Sequence, residues 1–221
     1  MQESIFLIYY IFLTAGVVFG LLRLKRYDSA MRIVVLWLCV IAVAELITYI
    51  LLKTGQHTTK YLVFHISAVL ELILISAYFL KLFCPPRLFT RYLLLICILC
   101  TTAGLLNVRY LQSWDQLNTN MLMLESFCII TLSLYAIYRT LKNDLVLHLF
   151  RDAHFWIWVL WLVLWSATFF FWAFIRILYR SDWAYVGLVM NLQALINLVV
   201  YAGLSGILLL YTKKNYGFEH S

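Results

Sequence analysis

Three acidic residues, Glu45, Glu71 and Glu125, interrupt long apolar stretches of this 221-residue chain. An ionisable side chain in hydrocarbon is costly, so such residues usually face the interior of a helix bundle or a water-filled cavity. Carboxylates in that position are suited to bind a cation, an amine or protons. The residue types therefore predict a polar binding layer inside an otherwise apolar protein.

The elements that carry these acids must lie in a membrane. Hydrophobic residues make up 65% of the chain and charged residues 12%, against about 45–50% and about 25% in soluble domains. The mean hydropathy is +0.91. Because a soluble chain of this length cannot bury so much apolar surface, the composition excludes soluble enzymes, secreted domains and disordered proteins. It predicts a multi-pass protein of the inner (plasma) membrane, surrounded by the lipid bilayer.

Seven stretches are long and apolar enough to form membrane-spanning helices, for which about 20 residues suffice. We place them at about 4–22, 32–52, 61–82, 91–108, 118–139, 154–178 and 183–212. The fourth is the shortest; Thr101, Thr102 and Gly104 interrupt it, and the two prolines before it mark a loop. The predicted fold is an all-α bundle of seven transmembrane helices that forms a single domain over residues 1–221.

The lysines and arginines between these stretches predict the direction of the chain. Twelve lie on the side that receives the C-terminal tail, and five lie on the other side. Since cytoplasmic loops carry the excess of positive charge, we expect the N-terminus outside and the C-terminus in the cytoplasm. The positive formal charge of +7 is thus explained by the orientation of the chain in the membrane. No feature of the sequence predicts nucleic-acid binding. The first stretch lacks the charge order and cleavage site of a signal peptide, so we expect it to be retained.

With this topology the three glutamates lie at a similar depth, roughly 10–15 Å below the outer surface at about 1.5 Å per residue. Asn191 lies at a comparable depth, His65 lies nearer the outer mouth, and Asn197 extends a polar stripe inward with Gln193 and Tyr201. The pattern predicts an outward-facing pocket for an unknown small ligand or cation. The alternative is that these side chains are interhelical hydrogen-bond groups, worth about 0.6 kcal/mol each.

The sixth stretch presents tryptophans at helical spacing. Trp158, Trp161, Trp165 and Trp172 fall on one stripe, which Arg176 continues. If the stripe faces the bundle interior, Trp165 can line the pocket and stack on a ring or a cation. If it faces lipid, the tryptophans form a bulky surface with anchors at the membrane interface. The spacing leaves both orientations open.

Motifs of known chemistry are weak or missing. The seventh stretch has no lysine for a retinal Schiff base, and no H-E-x-x-H, phosphate-binding loop or G-x-S-x-G occurs. Cys97 and Cys100 lie inside an apolar stretch and are typical of buried packing residues. An enzyme built on Glu71 and His65 is disfavoured because a separation of six residues puts them on different helix faces. We therefore expect no catalytic residue, metal or cofactor.

Several segments carry a resemblance to known sequences. They are the stretch around Glu45, FHISAVLELILISAYF at 64–79, LESFCIITLSLYAIYRTL at 124–141, HFWIWVLWLVLW at 154–165 and NLQALINLVVYAGL at 191–204. The chain resembles a family of uncharacterised bacterial seven-helix membrane proteins that is common in Bacteroidota. Glu45, Glu71, Glu125 and Asn197 match the family pattern, whereas the tryptophan-rich sixth stretch departs from it. Members often look like partners of two-component signalling, which implies a sensor.

The combined prediction is a receptor-like membrane sensor that signals through a separate partner. Closing of the pocket would shift the inner ends of the fifth and sixth helices, since a ligand moves an equilibrium only by binding two states differently. We expect a cytoplasmic or membrane signalling partner to contact Arg139, Lys142 and Arg151, around the loop 140–153. The alternatives are a small-solute or proton-linked transporter and a structural subunit of a membrane complex.

Overall fold

The computed structural model describes residues 2–56, 59–142, 149–178 and 183–211, and within these ranges the regular structure is helical. Seven α-helices follow one another along the described chain: α1 Gln2–Leu22, α2 Ser29–Lys53, α3 Thr59–Phe83, α4 Pro86–Leu106, α5 Thr119–Lys142, α6 Ala153–Leu178 and α7 Trp183–Leu210. Each predicted stretch corresponds to one of these helices. The all-α prediction is therefore confirmed.

Six of these helices, α2 to α7, contain segments long and apolar enough to cross a membrane. In α1 the apolar segment with described side chains is the shorter Leu7–Leu22. Many large apolar side chains on all seven helices are exposed, as expected of surfaces that lie in hydrocarbon instead of water. By length and composition, the chain is a multi-pass helical membrane protein.

Helix α4 begins earlier and runs longer than predicted. Pro85 lies in the short connection between α3 and α4, and Pro86 occupies the first turn of α4, where the missing N–H has no helical partner to lose. The small residues expected to interrupt α4 continue it, and a π-helical turn, Asn107–Leu111, extends it further. A Cβ on Gly104 would lie only 2.7 Å from Val69 Cγ2, so this glycine allows α4 to approach α3 closely.

The chain divides into two compact units. The first unit comprises Met1–Asp28 and Ser126–Ser221, and in it α7 packs along both α1 and α6. Gly203 allows close contact with α6, because a Cβ there would lie 2.9 Å from Leu160 Cδ1. The Ser205 hydroxyl donates a hydrogen bond of 2.8 Å to the carbonyl of Phe12 and ties α7 to α1.

The second unit comprises Ser29–Glu125, and in it α3 packs against both α2 and α4. Its fully buried side chains are large and mainly apolar: Met31, Trp37, Leu38, Ile75, Tyr78 and Met121. Since lipid is as apolar as these side chains, close packing and interhelical hydrogen bonds hold such helices together more than the hydrophobic effect does. The polar groups inside each unit therefore contribute to holding its helices together.

Candidate functional site

Two of the predicted acids interact electrostatically in the second unit. Glu45 on α2 and Glu71 on α3 are each partly buried, and a charge on Glu45 disfavours a charge on Glu71. The indole Nε1 of Trp37, a residue only 1% exposed, donates a hydrogen bond of 3.3 Å to Glu71 Oε2. We call Glu45 and Glu71 the carboxylate pair. Two like charges held together between apolar helices favour the uptake of a proton or another cation.

Glu125 lies in the same unit, near the start of α5. Its side chain is fully buried, and so is that of its neighbour Ser126. Burial of a carboxyl group away from water is expensive unless it is neutral or well partnered. The structure thus places Glu125 inside the protein, as the sequence predicts.

His65 serves a different part of the second unit from the carboxylate pair. Its Nε2 lies 3.2 Å from the backbone carbonyl of Gln116, and its ring packs edge-on against Trp114 at 5.6 Å between centroids. The imidazole therefore donates to a carbonyl and ties the start of α3 to the connection between α4 and α5. The hydrogen bond and the ring contact of His65 therefore hold this connection in position.

Hydrogen bonds between uncharged side chains, which the sequence did not lead us to predict, also stabilise the connection between α4 and α5. Asn107 Nδ2 donates to Asn118 Oδ1 at 2.8 Å, and Gln112 Nε2 donates to Thr119 Oγ1 at 2.7 Å. Gln112 Oε1 also accepts from the backbone N–H of Asn120 at 2.9 Å. The signal in the sequence was the run of amides between two apolar stretches, which predicts a buried polar network as readily as a solvated loop.

The predicted residues of α6 and α7 belong to the first unit. Gln193 Nε2 donates to Thr168 Oγ1 at 3.0 Å and to Asn197 Oδ1 at 3.2 Å, so Asn197 takes part in an interhelical hydrogen-bond group. Among the described residues, no donor lies within hydrogen-bond distance of the buried Oδ1 of Asn191. The structure brings Asn197 and Gln193 together and places Asn191 on the same helix.

The tryptophan stripe of α6 faces protein over most of its length. Trp158, Trp161 and Trp165 are at most 5% exposed, and Trp172 is partly buried. Trp165 Nε1 has no hydrogen-bond acceptor among the described residues. The lipid-facing alternative is therefore wrong for the first three tryptophans. Arg176, predicted to continue the stripe, lies outside the described side chains.

The residues predicted to contact a partner differ in exposure. Lys142 and Arg151 are exposed, and Arg139 is partly buried. Residues 143–148 of the predicted contact loop lie outside the described residues, as do Lys213 and Lys214 of the C-terminal tail. The two exposed cations are available to a partner in the part of the chain that the structure describes.

A second acidic centre, which sequence analysis did not predict, lies in the first unit. Asp28 Oδ2 accepts two hydrogen bonds, one of 3.0 Å from His154 Nε2 and one of 2.7 Å from the hydroxyl of Tyr211. Asp152 Oδ1 accepts a hydrogen bond of 2.9 Å from the backbone N–H of His154 and so caps the N-terminus of α6. We call Asp28, Asp152, His154 and Tyr211 the Asp28 cluster.

Burial shifts the ionisation of this cluster. Desolvation raises the pKa of Asp152; the charge and the backbone N–H of His154 oppose this shift, and the charge of Asp28 adds to it. Desolvation, followed by the hydrogen bond to Asp28, raises the pKa of Tyr211 well above its ordinary value. Tyr211 is therefore a permanent hydrogen-bond donor, and Asp152 holds a proton more readily than an ordinary aspartate.

The chain matches no protein-family model, curated protein or solved structure. Within the described ranges, no group of three or more histidines, cysteines, aspartates or glutamates is placed to hold a metal ion.

Proposed function

We propose that this protein is a receptor-like sensor of the inner membrane, with its N-terminus outside and its C-terminus in the cytoplasm. The carboxylate pair forms the centre of its ligand site, which takes up protons or a small cation. The single observation that supports this is the electrostatic interaction of Glu45 with a Glu71 side chain to which Trp37 donates a hydrogen bond. Intramembrane acids usually have functional roles, and a neutral indole donor orients Glu71 without cancelling its charge.

Signal output is proposed to pass to a separate signalling protein that contacts Lys142 and Arg151. Both side chains are exposed, and the resemblance to bacterial seven-helix proteins that look like partners of two-component systems favours such a partner. Occupancy of the carboxylate pair can change this contact only if it stabilises one arrangement of the helices over another.

Crosslinking in native membranes followed by tagged purification tests this proposal. We expect a signalling kinase or regulator in stoichiometric yield, with crosslinking that changes when the pH of the medium is lowered, since protonation of an acid in the carboxylate pair relieves the repulsion. Glu71→Gln should abolish the change, because an amide cannot take up the proton. Asp115→Asn is the matched control, since Asp115 is an exposed acid of the same unit, and it should respond like the wild type.

Two other outcomes would contradict the sensor. Recovery of a purely structural membrane complex, unaffected by Glu71→Gln, would favour a structural subunit; the Gln193, Thr168 and Asn197 hydrogen bonds are what that function requires. A chain recovered without partners would favour a proton-linked transporter. That transporter would acidify pure liposomes loaded with a pH-sensitive dye, and Glu71→Gln would stop the flux.

A further inference from the structure

An open groove runs between α2 and α3 in the second unit. Its volume is about 330 Å³, and both helices line it, with side chains that include Cys39, Ala44, Ile47, Val63, Ser67 and Leu70. Ile47 and Leu70 are among the exposed side chains of the protein. The groove, which we call the α2–α3 groove, therefore opens at the protein surface, where membrane lipid can reach it.

The lining of the α2–α3 groove is almost entirely apolar. Among the described residues that line it, only Ser67 carries a hydroxyl group. That hydroxyl donates to the backbone carbonyl of Phe64 at 3.3 Å, so its proton is used within α3. A polar ligand would give up its hydrogen bonds to water here without gaining others, which is unfavourable. The groove therefore suits a hydrocarbon chain.

The position of the groove along α2 matches one leaflet of a bilayer. Cys39 lines the groove at its end farther from the α2–α3 connection, and Lys53 is the last residue of α2. At about 1.5 Å per residue, these two residues are roughly 21 Å apart along the helix axis. Half of a bilayer, headgroup region included, is about 20–22 Å thick. With Lys53 at the level of the headgroups, the groove therefore extends down to the bilayer midplane.

Two lysines lie at the headgroup end of the same helix pair. Lys53 ends α2, and Lys60 lies in the first turn of α3. Lys53 Nζ is 5.7 Å from the ring centroid of Tyr49, and Lys60 Nζ is 5.0 Å from that of Tyr61; tyrosine is enriched at the membrane–water interface. Within the described ranges, no carboxylate forms an ion pair with either lysine. Both ammonium groups are therefore available to an anion at the membrane surface.

We propose that the α2–α3 groove binds one acyl chain of an anionic phospholipid, whose phosphate group is bound by Lys53 and Lys60. Acyl chains of all phospholipids are similarly apolar, so the headgroup determines which lipid is retained. Each lysine near the membrane surface raises the affinity for an anionic lipid about fivefold. With the predicted orientation, both lysines lie on the side with fewer cations, so the positive-inside rule does not explain them. The lipid site does not rest on the proposed sensor function.

Photolabelling of the full chain in phosphatidylcholine nanodiscs tests this site. The two probes, added in trace amounts, are phosphatidylglycerol and phosphatidylcholine with the same photoreactive group on one acyl chain. Phosphatidylglycerol should label peptides covering 39–47 and 63–70 roughly tenfold more than phosphatidylcholine does. Peptides covering 7–12 are the internal control, because they carry exposed apolar side chains and no lysine or arginine precedes Arg23. Both probes should label them equally.

Substitution of the lysines tests the headgroup contact separately from the groove. The double variant Lys53→Gln, Lys60→Gln should label the groove equally with both probes, because the phosphate has lost its two cations. The matched control is Lys81→Gln, Arg87→Gln. It also removes two cations from the second unit, but from the opposite end of α3 and the start of α4, and it should keep the preference for phosphatidylglycerol.

A groove-filling variant tests the acyl-chain contact. Ala44→Phe places a ring in the groove and should lower labelling of 63–70 by both probes. Leu46→Phe is the matched control, because Leu46 is exposed on the same helix and does not line the groove. The proposal is overturned if the wild type labels the groove equally with both probes, or if the lysine variant keeps the preference. Failure of both probes to label the wild-type groove would also overturn it, since protein would then cover the groove.

Discussion

Both acidic centres of this protein contain two carboxyl groups, but the side chains that hydrogen-bond to those acids differ. In the second unit, Glu45 and Glu71 repel each other, and the hydrogen bond that orients Glu71 comes from the neutral indole of Trp37. In the first unit, Asp28 accepts hydrogen bonds from the hydroxyl of Tyr211 and from the imidazole of His154. The two centres therefore differ in how their acids are partnered: Glu71 has one indole donor and a second acid near it, whereas Asp28 has two donors on two other helical elements. The following substitutions test this difference.

The largest effect is expected from Asp28→Ala. The substitution removes the acceptor of two hydrogen bonds, from the buried His154 and Tyr211, and the loss of such a bond from a buried group costs about 1–3 kcal/mol. We expect the free energy of unfolding to fall by about 3 kcal/mol in detergent unfolding experiments. Asp115→Ala, which removes an exposed acid, should have no measurable effect. Equal stability of the two variants would show that the hydrogen bonds of Asp28 do not contribute to stability.

Glu71→Gln should have a smaller effect on the free energy of unfolding than a matched Asp28→Asn variant. The glutamine Oε1 can still accept from Trp37, and the repulsion from Glu45 disappears. The free energy of unfolding should stay within about 1 kcal/mol of the wild type or rise, while the response to pH is lost. Asp28→Asn should fall below the wild type in the same assay. An equal loss of unfolding free energy in both variants would indicate that the carboxylate pair has a structural role.

Gln193, a neutral polar residue of the first unit, provides a third comparison. Gln193→Leu removes the hydrogen bonds to Thr168 and Asn197, and such interhelical bonds average about 0.6 kcal/mol. We expect a loss of that order in unfolding free energy, with the pH response intact. If Gln193→Leu abolished the response instead, the ligand site would extend to α7.

The smallest effect is expected from Asp152→Asn. Asparagine caps a helix as well as aspartate does, so the change isolates the charge. Because burial raises the pKa of Asp152, the wild type loses stability as the pH rises through that pKa, and the variant does not. Unfolding curves should therefore coincide at acidic pH and separate in favour of Asp152→Asn at alkaline pH. A separation of the reverse sign would mean that the charged form is the stabilised one.

Most of the helical architecture could be predicted from the sequence. Span length and apolar composition act locally, so all seven helices were found, and Glu45 and Glu71 meet because their helices are consecutive. Helix α4 begins at Pro86, before the predicted span, because proline is as suited to a first helical turn as to a loop. The Asp28 cluster could not be predicted, since 126 residues separate Asp28 from His154 and 183 separate it from Tyr211.

Helix α4 has a consequence for the membrane in which the protein resides. Arg91 near its start and Arg109 in its terminal π-helical turn are both exposed, and the segment between them is largely apolar. At about 1.5 Å per residue these arginines are roughly 27 Å apart along the helix axis. A pair of charges at that spacing matches a relatively thin hydrocarbon layer, and a thicker bilayer must thin locally or draw the guanidinium groups toward its surfaces. The spacing of the two arginines on α4 therefore determines which bilayer thickness the helix fits best.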